Sequence, residues 1–91
     1  MRNRMIKKEF YNSERILSIS IPERLMFIGM WNIADDEGIL KNSPLQIKAT
    51  IFPVDSKITL GVVEEYIKNL LGVGLITMNN EQTLIKIKKW K

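Results

Sequence analysis

Cysteine and histidine are both missing from this sequence, and each absence closes off chemistry. Without cysteine there are no disulfides, no thiol nucleophile and none of the usual zinc sites; without histidine there is no imidazole acid–base catalyst. The lack of cysteine is compatible with a reducing compartment, and we expect a cytoplasmic protein. Long hydrophobic runs are missing too. The most apolar stretch, Leu25 to Ala34, has eight apolar residues in ten, whereas a membrane-spanning helix needs roughly 20, so no membrane association is expected. The N-terminal MRNRMIKKEF is basic, but no apolar segment or small-residue cleavage site follows, so it does not have the form of a signal peptide. Internal repeats and low-complexity segments do not occur. With no evident nucleophile, cofactor loop or partner histidine, we expect neither an enzyme nor a bound cofactor.

What is present starts with that apolar stretch. A helix that is apolar nearly all round must be covered from several sides, so Ile21 to Gly38 predicts a central helix around which the remaining elements pack. Ser20 is its expected N-cap, Pro22 suits the first turn, and Glu23 sets negative charge at the positive end of the dipole. Gly38 is the expected left-handed stop, and Asn32 is expected partly buried, tied to a neighbouring backbone. The 91 residues are read as a single domain, 1–91. A chain of this size hides about 60–65% of its unfolded surface.

Met5 to Phe10 suggests a short strand or extended arm that packs Ile6 and Phe10 inward. Ser13 caps a short first helix, Glu14 to Ile19. After the central helix, Ile39-Leu40 is an extended piece. Ser43-Pro44 then repeats the helix-start signal for a helix from about Pro44 to Ile51, which Phe52-Pro53 ends. Asp55 to Ile58 is a turn. Thr59 caps a long helix over about 60–71, with Val62, Val63, Tyr66, Ile67, Leu70 and Leu71 as its buried stripe. Leu75 to Met78 is a strand, Asn79 to Gln82 a turn, and Thr83 to Trp90 a second strand, in which basic and apolar residues alternate. This order describes an α+β winged helix-turn-helix: a helical core with a C-terminal β-hairpin wing. The chain stops within strand-like sequence, as expected either of a small complete protein or of the N-terminal part of a longer one.

Four segments stand out together: the K-x-E-F opening (Lys7, Glu9, Phe10), the run RLMFIGMWNIADDEG from Arg24 to Gly38, the S-P-x-x-I-K of Ser43 to Lys48, and Ile51-Phe52-Pro53. With them the chain resembles the N-terminal winged-helix domains of phage and prophage replication proteins from low-GC Gram-positive bacteria, the replisome-organiser and DnaD-like proteins. The likeness extends over nearly the whole chain. It implies a role in DNA replication, with duplex DNA, a second copy of the chain, or host or phage replication proteins as partners. In such proteins this domain usually precedes a further C-terminal region that is not in this sequence.

The net charge of +4 conceals an asymmetry. Arg2, Arg4, Lys7 and Lys8 lie near one end and Lys86, Lys88, Lys89 and Lys91 near the other. The six basic and ten acidic residues between Glu9 and Ile85 leave a net of −4. If the ends meet they form one basic face, which suits a polyanion such as nucleic acid and also serves as a solvated surface. Asp35-Asp36-Glu37-Gly38 has the acids of a metal site but not the spacing of an EF-hand loop, and a solvated turn is the expected role, so no metal is expected.

The second helix of a helix-turn-helix presents its N-terminal residues to base edges. Here that helix is expected to expose Leu60, Gly61, Glu64, Glu65, Lys68 and Asn69, and its two glutamates suit phosphate poorly, although a glutamate can accept from a cytosine amino group. Candidate DNA contacts are Thr59, Lys68 and Asn69 on this helix, Lys48 and Lys57 around the helical turn, and Asn79, Asn80, Gln82, Lys86, Lys88 and Lys89 on the wing. Wing lysines contact phosphates and give salt-dependent affinity without sequence choice; charge also guards a hairpin edge against aggregation. Trp31 is expected in the core, and Trp90 either staples the last strand or sits in an interface. Two functions follow as expectations. One is DNA binding through the 59–69 helix and the basic wing. The other is a protein-interaction or self-association module on the same fold, favoured by the acidic helix and by any apolar patch near Leu60, Tyr66 or Trp90.

Overall fold

The helix that the sequence marks most strongly is closed at its start by both of its capping residues. A computed structural model describes residues 13–88, and in it the Ser20 hydroxyl accepts from the Glu23 backbone N–H at 3.4 Å while Glu23 Oε1 accepts from the Ser20 N–H at 2.8 Å. This reciprocal pair satisfies two donors that the first turn otherwise leaves open. The helix, α2 (Ile21–Ile33), follows a single turn, α1 (Glu14–Leu17), and precedes β1 (Ile39–Lys41), α3 (Pro44–Ile51), α4 (Leu60–Gly72), β2 (Ile76–Met78) and β3 (Leu84–Ile87). The described residues thus form a small mixed α+β domain of four helices and one three-stranded antiparallel sheet. No helix among them is long and apolar enough to cross a membrane.

Three expectations about α2 need correction. Gly38 does not stop it; Ala34 is the C-cap, and Gly38 (φ +79°) closes the turn that follows. The turn forms because Asp35 Oδ1 accepts from the N–H groups of Glu37 (2.9 Å) and Ile39 (3.0 Å), a local alternative to helix continuation. Asn32 is exposed rather than partly buried. Nor is the helix covered all round: Ile21 is 74% exposed and Leu25 53%, because α3 and α4 pack against its other faces. Gly29 permits the close approach of α3, since a Cβ there would stand 2.6 Å from Ile51 Cδ1.

Ser43 and Thr59 cap α3 and α4 as expected, accepting from the N–H groups of Gln46 and Val62. Ser13 precedes α1 without a side-chain cap bond, and that helix ends at Leu17, two residues early. Arg24 takes up the carbonyls at and just beyond the end of α1: Nε donates to Ile16 O (3.0 Å) and Ile19 O (3.2 Å), and Nη2 to Leu17 O (3.4 Å). Leu45, on α3, is exposed, and Ile47 carries that helix's contact with the core. Within the α4 stripe Val63, Ile67 and Leu70 are fully covered, while Val62, Tyr66 and Leu71 are half-buried. Phe27, Met26, Met30, Phe52, Leu75 and Ile85 complete the centre, each stabilising by about 1.5–3 kcal/mol through burial. Trp31 is half-buried against this cluster, with its ring edge-on to Phe27 at a centroid distance of 6.2 Å.

The sheet order is β1-β3-β2, so the last strand is central. Ile39, Leu40 and Lys41 pair with Lys86, Ile85 and Leu84, and Ile76, Thr77 and Met78 pair with Ile87, Lys86 and Ile85. β2 and β3 are shorter than expected, although Lys88 continues the pairing by donating its N–H to Leu75 O at 2.9 Å. The arm at 5–10, and Lys89 and Trp90, lie outside the described residues.

Candidate functional site

The hairpin between β2 and β3 is held in one shape by two asparagines. Asn79 Oδ1 accepts from the N–H groups of Thr83 (2.8 Å) and Leu84 (3.0 Å), and its Nδ2 donates to Thr83 Oγ1 (2.8 Å). The Gln82 N–H closes the turn on Asn79 O, which requires Gln82 to take φ +58°. Asn42, just after β1, ties the tip back to the body: its N–H donates to Thr83 O at 2.9 Å and its Nδ2 to Gln82 O at 2.8 Å. A groove of about 280 Å³ runs between this tip, the start of α3 and one side of α4, and Asn42, Glu64, Lys68, Leu71, Met78 and Gln82 line it.

Alternation along β3 divides the sheet into two faces. Ile85 and Ile87 are buried against the helices, while Leu84 and Lys86 are exposed and Lys88 continues the exposed set. The register places Ile39 and Thr77 beside Lys86 and sets Lys41 opposite Leu84. The solvent face therefore carries Lys41, Lys86 and Lys88, and no acidic residue occupies an outward strand position on it. Ile39, Thr77, Leu84 and Lys86 border a shallow depression of about 240 Å³ on this sheet.

The cations sort by what they touch. Arg24 closes α1, Arg15 Nη1 donates to Gly74 O at 3.3 Å, and Lys48 Nζ donates to Phe52 O at 3.4 Å beyond the end of α3. Positive charge at helix-ending carbonyls is a structural use, and Lys48, expected at the DNA surface, is half-buried in that role. Lys57 is exposed in the turn before α4. Lys68 is exposed on α4, one turn after Glu64 and three residues after Glu65, so that face carries one more acid than base. Of the lysines expected on the wing, Lys86 and Lys88 come together on the sheet, and Lys89 lies outside the described residues.

The polar candidates are more committed than their residue types suggest. Thr59 caps α4. Asn79 is engaged within the hairpin, and Asn80 is exposed at its tip. Asn69 Nδ2 donates to Glu23 Oε2 at 2.6 Å, joining α4 to the start of α2. Burial pushes the Glu23 carboxyl up, but the Ser20 N–H, the Asn69 amide and the Ser20 hydroxyl outweigh it and hold the group below the usual glutamate value. Asp35 organises its turn, and among the described residues no group of three or more acids is placed to hold a metal ion.

Two contributors escape sequence reasoning. Lys41 reaches the basic face only because β1 pairs with β3, a long-range fact whose sole local signal is the exposed-side parity of Ile39-Leu40-Lys41. Asn42 sits in an Asn-Ser-Pro start signal, and its grip on a hairpin 40 residues away has no local signature. Comparison with family models, characterised proteins and solved structures returns no match to this chain.

Proposed function

We propose that this chain is a winged-helix module that binds duplex DNA, of the kind used in phage-type replication proteins, with its basic hairpin as the main point of contact and α4 as the neighbouring element. The observation that carries the reading is the gathering of Lys41, Lys86 and Lys88 on one solvent face, while Arg15, Arg24 and Lys48 are engaged by backbone carbonyls. Lysines released from structural duty and grouped on a rigid sheet suit a polyanionic backbone. The element order supports the winged-helix part: a helical pair, α3 and α4, precedes a hairpin whose second strand pairs with a short strand ahead of the pair. The family resemblance in Arg24 to Gly38 supports the assignment to replication.

A second reading has its own observation. Leu60 is 42% exposed beside Glu64 and Glu65, a surface better suited to a protein partner or a second copy than to phosphate. The two readings separate in one experiment: a labelled random-sequence duplex titrated with the protein over a salt series, beside light scattering of the free protein. DNA binding predicts affinity that falls steeply with salt. A dimer or larger species that binds no DNA at low salt would replace it with an assembly role.

A further inference from the structure

We infer that duplex DNA lies against the solvent face of the three-stranded sheet, held through its phosphates by Lys41, Lys86 and Lys88, and that α4 stays out of the major groove. This rests on the DNA-binding reading above and specifies the surface and the mode of contact.

Strand geometry sets the spacing. Lys41 faces Leu84, two residues before Lys86 on the central strand, so Lys41 and Lys86 are diagonal neighbours about 7–8 Å apart. Lys86 and Lys88 are two residues apart along the chain, or about 7 Å at the rise of a strand. Three ammonium groups on flexible stems at that spacing can each take a separate phosphate. None of the three is hydrogen-bonded or ion-paired to another described residue. The acids nearest in sequence are Asp36 and Glu37, in the turn ahead of β1, and Glu81, exposed at the hairpin tip; none of them occupies an outward strand position.

The other candidate surface is chemically the wrong one. At the N-terminal end of α4 the Thr59 hydroxyl serves as the cap and Leu60 and Gly61 offer no hydrogen-bonding side chain. Further along come Glu64 and Glu65, then Lys68, and then Asn69, whose amide is held by Glu23. A helix with that face repels phosphate on approach and has few donors for base edges. Contact through lysines on phosphate alone carries no sequence information, so the mode is sequence-independent.

The test is fluorescence anisotropy of a short random-sequence duplex with the full chain, in a salt series, for the wild type, Lys41→Ala, Lys86→Ala and Glu64→Gln/Glu65→Gln. Circular dichroism of each variant checks that it folds, and Lys41→Gln repeats the first change with a longer side chain. We expect Lys41→Ala and Lys86→Ala each to weaken binding several-fold and to reduce the salt slope by about 0.9. The double glutamine variant should bind equally or slightly more tightly. If the wild type binds while Lys41→Ala, Lys41→Gln and Lys86→Ala leave affinity and slope unchanged, the sheet-face inference falls and DNA binding stands; a loss of affinity in Glu64→Gln/Glu65→Gln then moves the contact to α4. If the wild type does not bind at low salt, the DNA-binding reading falls and the inference goes with it.

Discussion

The bond between Asn69 and Glu23 gives the sharpest test of how the helices are joined, because one carboxylate does two jobs. Its Oε1 completes the capping box at the start of α2 and its Oε2 accepts from Asn69 on α4, at 2.8 and 2.6 Å. Hydrogen bonds to a charged group contribute about 1.5–3 kcal/mol each. Both donors regain water when the carboxylate is removed, which favours the low end. We therefore expect Asn69→Ala to cost about 1.5 kcal/mol and Glu23→Ala, which loses the capping bond as well, about 3 kcal/mol. For a domain of this size that corresponds to a fall in Tm of roughly 10–20 °C for Glu23→Ala. Urea unfolding of the two single variants and the double variant measures their coupling, expected near 1 kcal/mol. Additive costs, with no coupling, would refute the tie.

The same carboxylate sets a pH dependence. Its folded-state value is lowered, so its contribution is complete above the ordinary glutamate value of 4.5 and is lost as pH falls below it, through the lower folded-state value. Wild-type stability should therefore drop over that acid range by more than that of Glu23→Gln, and parallel acid titrations of the two proteins would contradict this. At Gly29 a Cβ meets Ile51 at 2.6 Å; we expect Gly29→Ala to destabilise by about 1 kcal/mol, helix propensity offsetting part of the overpacking. In an Ile51→Ala background the same change should become stabilising, a reversal of sign readable by thermal melts. Asn42→Ala should cost about 1–2 kcal/mol and speed amide exchange at Thr83 and Leu84, since it frees the hairpin tip from its Nδ2 bond to Gln82 O.

Local signals survived into the structure where the chemistry is local. Ser20, Ser43 and Thr59 each cap the helix they precede, because a cap bonds within three residues of itself. The α3 limits and the alternation in β3 follow from the same short reach. Structure and expectation part where a local motif has two uses. Gly38 was free to end a helix or to close an Asx turn, and the Asp35 side chain decided for the turn. The apolar run in α2 implied cover on every side, yet sequence alone does not show how many neighbours a helix has, and Ile21 and Leu25 face outward. Of the proposed contact surface, Lys86 and Lys88 are legible in the sequence because strand alternation assigns their face. Lys41 is not, since its place depends on pairing with a strand more than 40 residues later. Lys48 and Asn69 had the right residue types for DNA contact, but their bonds to Phe52 O and Glu23 are visible only in three dimensions.

The most direct test of the proposed contact surface is a map of backbone amide shifts. Nitrogen-labelled protein is titrated with a random-sequence duplex at low salt, and the perturbed residues are compared between the two faces. The largest changes are expected at Lys41, Thr77, Leu84, Lys86 and Lys88, with Glu64, Glu65 and Lys68 nearly still. Changes concentrated on α4, with the sheet face unmoved, would contradict it.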